Sequence, residues 1–113
     1  MIIIADGGST KTNWCLLNES GRKIYFNTEG YNPFFATTDY IISSLRNNLP
    51  GHLALDQIRE VNYYGAGCSS EANVNIVKEA MNTIFPAARV SVGHDLLAAC
   101  RALLGLNQGF AAI

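Results

Sequence analysis

A chain of 113 residues that is 49% apolar and only 15% charged has a globular composition, and at this length one domain can bury roughly two-thirds of the surface its unfolded chain exposes. The formal charge of −1, with eight scattered Lys and Arg, gives no basic field for nucleic acid, and the widely spaced Cys15, Cys68 and Cys100 form neither a disulfide framework nor a zinc site. There is no basic n-region before Ile2 and no apolar run of about 18 residues, so neither a signal peptide nor a membrane span is expected, and a reducing cytoplasm fits best.

The first element is Ile2 to Ala5, a short β-branched run bounded by Gly7-Gly8, which reads as a strand buried on both faces. Thr12 to Leu17 is a second strand. After the turn residues Asn18-Glu-Ser-Gly21, Arg22 to Thr28 is a third, with Ile24 and Phe26 on one face. Two tight turns joining three strands imply an antiparallel meander.

Beyond Gly30 the period changes. Thr37 or Thr38 can cap a helix whose Ile41, Ile42, Leu45 and Leu49 share a face before Pro50-Gly51. Glu60 to Ala66 follows as a fourth strand, with one of Tyr63 and Tyr64 expected in the core. Ser69 or Ser70 then caps a second helix that carries Val74, Val77, Met81 and Ile84 and ends near Pro86. Arg89 to Gly93 is a fifth strand, and Asp95 opens a third helix with Leu96, Leu97, Cys100, Leu103 and Leu104 on one stripe. Gly109 to Ile113 looks like the start of a further strand.

The order βββαβαβα predicts an α/β domain, a mixed five-stranded sheet with helices covering its faces. Because the last strand stops at Ile113 with nothing to turn it, residues 1–113 are expected to be one lobe cut from a longer chain. The apolar strand Phe110 to Ile113 and any open sheet edge would favour a homodimer.

The turn Asp6-Gly-Gly-Ser-Thr-Lys-Thr12 is not a Walker A loop, which needs Gly directly before its Lys and a helix after it. Two readings remain: an ordinary hairpin turn, or an anion nest in which open backbone, hydroxyls and Lys11 receive a polyphosphate. Asp6 closes the first strand, where a carboxylate could meet Mg²⁺ or its waters. The loop Gly65-Ala-Gly-Cys-Ser-Ser70 lies between a strand end and a helix, a frequent ligand position; its glycines serve either ligand access, which would make Gly67 a substrate contact, or the tight turn itself. His94 has no Ser or Cys nucleophile around it and is read as structural or as a support behind the residues of a site.

Three stretches, Asp6 to Thr12, Gly-Tyr-Asn-Pro-Phe-Phe at Gly30 to Phe35, and Val92-Gly-His-Asp-Leu-Leu-Ala-Ala99, resemble motifs of the actin, hexokinase and Hsp70 ATPase superfamily. Within it the chain is similar to the BadF/BadG/BcrA/BcrD-type ATPases, in particular to their N-acetylglucosamine and glucosamine kinase branch. The resemblance implies a ribonuclease H-like, actin-like N-terminal lobe using ATP and Mg²⁺. Gly8, Ser9, Thr10 and Lys11 would then contact phosphates, with Asp6 near the metal. Asn32 would bind the amino sugar, and Asp95 would act as catalytic base toward the sugar hydroxyl while also touching the substrate. It further implies that the second phosphate motif and the adenosine-binding lobe lie beyond Ile113, so this chain alone is expected to be inactive. Two alternatives stand beside the kinase: an activator ATPase serving a reductase partner, and a non-catalytic actin-like sensor or assembly module.

Overall fold

In the computed structural model, residues 1–8, 10–51 and 53–94 are described. Strand β1 (Ile2–Gly7) pairs antiparallel with β2 (Lys11–Leu17), and β2 pairs antiparallel with β3 (Lys23–Glu29). The β2–β3 turn is fixed locally: the Asn18 side-chain oxygen accepts from the Ser20 and Arg22 amides at 3.1 and 2.8 Å, and Gly21 sits at φ +84°. An Asx turn closed by a left-handed glycine explains why Asn and Gly occupy those two places.

Helix α1 (Thr38–Asn48) is capped by Thr37, whose hydroxyl oxygen accepts from the Tyr40 amide, and Asp39 and Arg46 complement the helix dipole at its two ends. A single 3₁₀ turn, Leu55–Gln57, leads into β4 (Glu60–Gly65). Helix α2 (Glu71–Ile84) is capped by Ser70 in the same way, and β5 (Arg89–Gly93) follows. Strand β4 lies parallel to β1, and β5 parallel to β4, so the sheet order is β3-β2-β1-β4-β5. An antiparallel meander has become the flank of a parallel βαβ system, the mixed sheet that the element order implied.

The register fixes which side chains share a face. Ile3 lies opposite Leu16 and Val61, Ala5 opposite Trp14 and Tyr63, and Val61 opposite Val90. These residues form one buried cluster with Ile41 and Leu45 of α1 and Val77, Ala80, Met81 and Ile84 of α2. Trp14 stacks on Phe26 at 5.6 Å and meets the tilted ring of Tyr63 at 5.9 Å, a geometry aromatic pairs favour beyond their area. The helices are tied to each other and to β3 by side chains: the Thr38 hydroxyl donates to the Ile76 carbonyl at 2.9 Å, and the Glu29 carboxylate accepts from Ser44 at 3.2 Å and from Tyr40.

One expectation is corrected. Both described helices pack on a single face of the sheet, and β1 is not buried equally on its two sides: Ile3, Ala5 and Gly7 are buried, whereas Ile2 and Ile4 are only partly covered. On that second face Ile4 packs with Cys15 and Leu17 in a small separate cluster. Strand β1 also runs two residues further than Ala5, because Asp6 and Gly7 pair on both sides, with Asn13 and Thr12 of β2 and with Tyr64 and Gly65 of β4. The expected third helix and the strand from Gly109 lie outside the described residues.

Candidate functional site

The parallel strands β1, β4 and β5 end together, and their carboxyl ends border a cavity of about 300 Å³ whose lining includes Asp6, Gly7, Gly65, Gly67, Ser69 and His94. Crevices at this end of an α/β sheet are where ligands bind, because loops diverge there and leave backbone groups unpaired. Three loops build the site.

The first is the β1–β2 turn. The Gly8 amide donates to the Lys11 carbonyl at 2.8 Å, so the hairpin is closed by Gly8 and Lys11 with two residues between them. Gly8, Thr10 and Lys11 are all exposed. The Gly8 N–H is committed to closing the turn, and the Thr10 hydroxyl and the Lys11 ammonium are side-chain donors there able to face an anion. Ser9 lies outside the described residues. Gly7 has a different reason to be glycine: a Cβ there would run into the hydroxyl of Tyr63 and come within 2.9 Å of its Cζ. Thr12, the last residue of the motif, is fully buried and donates its hydroxyl to the Glu29 carbonyl at 3.0 Å. The motif therefore divides, with Gly8, Thr10 and Lys11 exposed and Gly7 and Thr12 built into the core.

The second loop follows β4. The Ala66 amide donates to the Gly7 carbonyl at 2.8 Å, extending the β1–β4 ladder by one bond into the loop. Gly67 then turns the chain at φ +82°, and its carbonyl accepts from the Asn73 side chain at 3.0 Å. A left-handed conformation is one reason for glycine here; the other is Asn32, because a Cβ on Gly67 would collide with the Asn32 side-chain oxygen and come within 3.0 Å of its Cγ. Cys68, beside it, is almost fully buried, and burial pushes its thiol up to about 11. It is a core residue and not a nucleophile.

The third loop, after β3, brings in Asn32. Its side-chain oxygen accepts from the Phe34 amide at 3.0 Å, and its backbone carbonyl accepts from the Phe35 and Ala36 amides, both at 2.9 Å. This Asx turn holds Asn32 against Gly67 and leaves Phe34 and Phe35 exposed at 66% and 88%. With the oxygen occupied by the turn, the Asn32 amide NH₂ is the part of the side chain suited to a ligand.

The sequence-derived positions thus fall out as follows. Asp6 and Gly67 line one cavity, Asn32 packs against Gly67, and Gly8, Thr10 and Lys11 form the adjoining turn. Asp95 lies outside the described residues, and His94, read from sequence as structural or as a support behind the site, is exposed and lines the cavity. Sequence reasoning also missed the roles of Tyr63 and Thr12 beneath the turn, since nothing in local spacing reveals which hydroxyls meet across three strands. Among the described residues no group of three or more His, Cys, Asp or Glu is placed to hold a metal. Among the described residues the carboxylate on the cavity is that of Asp6, and it suits a Mg²⁺ that keeps waters and phosphate oxygens as its other ligands, the usual mode for that ion. No described helix is long and apolar enough to cross a membrane.

No family model matches the chain, and no curated protein does. Among solved structures it is similar to the "putative N-acetylglucosamine kinase" of Porphyromonas gingivalis, at 40% identity and a TM-score of 0.75 over 93% of this chain. The chain spans 38% of the length of that protein. With the sheet order above, the likeness establishes the fold as an α/β, ribonuclease H-like lobe of the kind found in that kinase neighbour.

Proposed function

We propose that the chain is the N-terminal lobe of an ATP-dependent kinase that transfers a phosphoryl group to a hydroxyl of an amino sugar, N-acetylglucosamine or glucosamine. The observation that carries this reading is the meeting of Asp6 and Gly67 at one cavity, with Asn32 packed against Gly67, beside a turn whose Thr10 and Lys11 are exposed. Its sequence likeness to a neighbour described as such a kinase supports it. The BadF/BadG-type resemblance of the three motifs points the same way.

Phosphoryl transfer asks little covalent chemistry of the protein and much positioning and charge neutralisation. Thr10 and Lys11, with Ser9, would receive phosphate oxygens at the hairpin. Asp6 would hold Mg²⁺ through the metal or its waters; when bound, the ion supplies charge neutralisation to the phosphates. Asn32 would donate its NH₂ to a sugar oxygen while its own oxygen maintains the loop, and Gly67 would give the sugar access to backbone. Asp95 would take the proton of the attacking hydroxyl, a role suited to a carboxylate. The partners are then a small sugar and the nucleotide, in the cytoplasm, with the protein as a homodimer in light scattering.

Amide shift mapping tests the assignment. N-acetylglucosamine is expected to move Gly67 and Ser69 but not Val77 in the α2 core, and Mg–ATP to move Thr10 and Lys11. Absence of both sets of shifts would overturn the kinase reading in favour of a non-catalytic module.

A further inference from the structure

The phenol of Tyr63 is buried in the apolar core and serves no step of the proposed reaction. Tyr63 is 1% exposed and lies opposite Ala5 and Val92 in the sheet. Its ring occupies space that Gly7 and Gly65 both leave free, its hydroxyl and the Thr12 hydroxyl oxygen both flank the point where a Gly7 Cβ would stand, and the two hydroxyls pair there. The Thr12 hydroxyl already gives its proton to the Glu29 carbonyl at 3.0 Å, so the phenol is the donor to Thr12. The same carbonyl accepts from the Thr28 hydroxyl at 2.9 Å, and Thr28 accepts from the Trp14 indole at 3.0 Å. Two donor chains, one through Thr12 and one from Trp14 through Thr28, therefore converge on the Glu29 carbonyl and link β4, β2 and β3 below the Gly8–Lys11 turn.

Buried polar groups are costly unless satisfied, and a fully satisfied network selects one arrangement of the backbone that carries it. Among the described residues no buried side-chain nitrogen or oxygen lacks a partner. Gly7 and Thr12 are the last register pair before the hairpin, and Tyr63 touches the first and bonds the second. We propose that Tyr63 is a positioning residue of the phosphate turn: it grips both feet of the β1–β2 hairpin and so fixes the shape in which Thr10 and Lys11 meet an anion. The inference rests on the reading of that turn as a phosphate cradle. It differs from an ordinary core role, because packing alone would be served equally by phenylalanine.

The test compares the wild-type chain with Tyr63→Phe, Thr12→Val and Thr12→Ser, using amide exchange and titration with magnesium tripolyphosphate. Tyr63→Phe is expected to keep α2 protection at Val77 while the Gly8 amide exchanges about tenfold faster, and to bind tripolyphosphate roughly fivefold more weakly at Thr10 and Lys11, the scale of one lost hydrogen bond. Thr12→Val should behave like Tyr63→Phe, and Thr12→Ser, which keeps the hydroxyl, like wild type. If Tyr63→Phe does not fold, the Thr12 pair carries the same expectations. Wild-type resonances unmoved by tripolyphosphate would remove the cradle reading and this one with it. Equal binding and equal Gly8 exchange in wild type and Tyr63→Phe would overturn the positioning role alone.

Discussion

At the scale of single residues, the glycines of the site answer to side chains elsewhere in the fold. Gly7 makes room for Tyr63, and Gly67 for Asn32. Sequence alone made both glycines visible and left open whether they served a ligand or a turn, because the residue that needs the space lies far away in the chain. Gly7→Ala is expected to destabilise the fold by about 1–3 kcal/mol, the usual cost of forcing an extra carbon into a packed core. Denaturant melts of Gly7→Ala and of Gly8→Ala check this. A Cβ at Gly8 meets only the Lys11 carbonyl oxygen at 3.3 Å, so the second variant should lose less.

At the scale of elements, chain order and type were legible because each described strand and helix carries its own periodicity and punctuation. The caps were narrowed to two candidates each, and geometry chose Thr37 and Ser70, whose hydroxyl oxygens accept from the third amide onward. Ser70→Ala should cost about 1 kcal/mol and Ser69→Ala little, as read by thermal melts, since only Ser70 caps α2. The strand ends were less legible. Periodicity marked the apolar part of β1 but not Asp6-Gly7, which belong to the strand through pairing on both sides. The division of the DGGSTKT motif into exposed Gly8, Thr10 and Lys11 and buried Gly7 and Thr12 has the same origin: burial of Thr12 depends on β3 and β4 together, which no local window contains.

For the molecule as a whole, the core contains acids that the fold keeps neutral. Burial pushes the Cys68 thiol from its ordinary 9.0 up to about 11, and burial likewise raises the Tyr63 phenol. A group whose folded value is raised stabilises the fold fully below its unfolded value and ceases to do so as pH climbs through the folded one. The melting temperature should therefore hold up to about pH 9 and fall toward pH 11, with a shallower fall in Cys68→Ala. The central functional claim concerns the half-site that three separate loops assemble around Asn32 and Gly67. Its most direct test is calorimetric titration of this chain with N-acetylglucosamine, comparing wild type with Asn32→Asp, which keeps the oxygen that accepts from the Phe34 amide and puts a charged acceptor oxygen in place of the NH₂ donor. Binding by wild type that weakens about tenfold or more in Asn32→Asp, with the melting temperature little changed, is the predicted result. No heat of binding by wild type, or equal binding by both proteins, would contradict the assignment of this lobe to an amino-sugar kinase site.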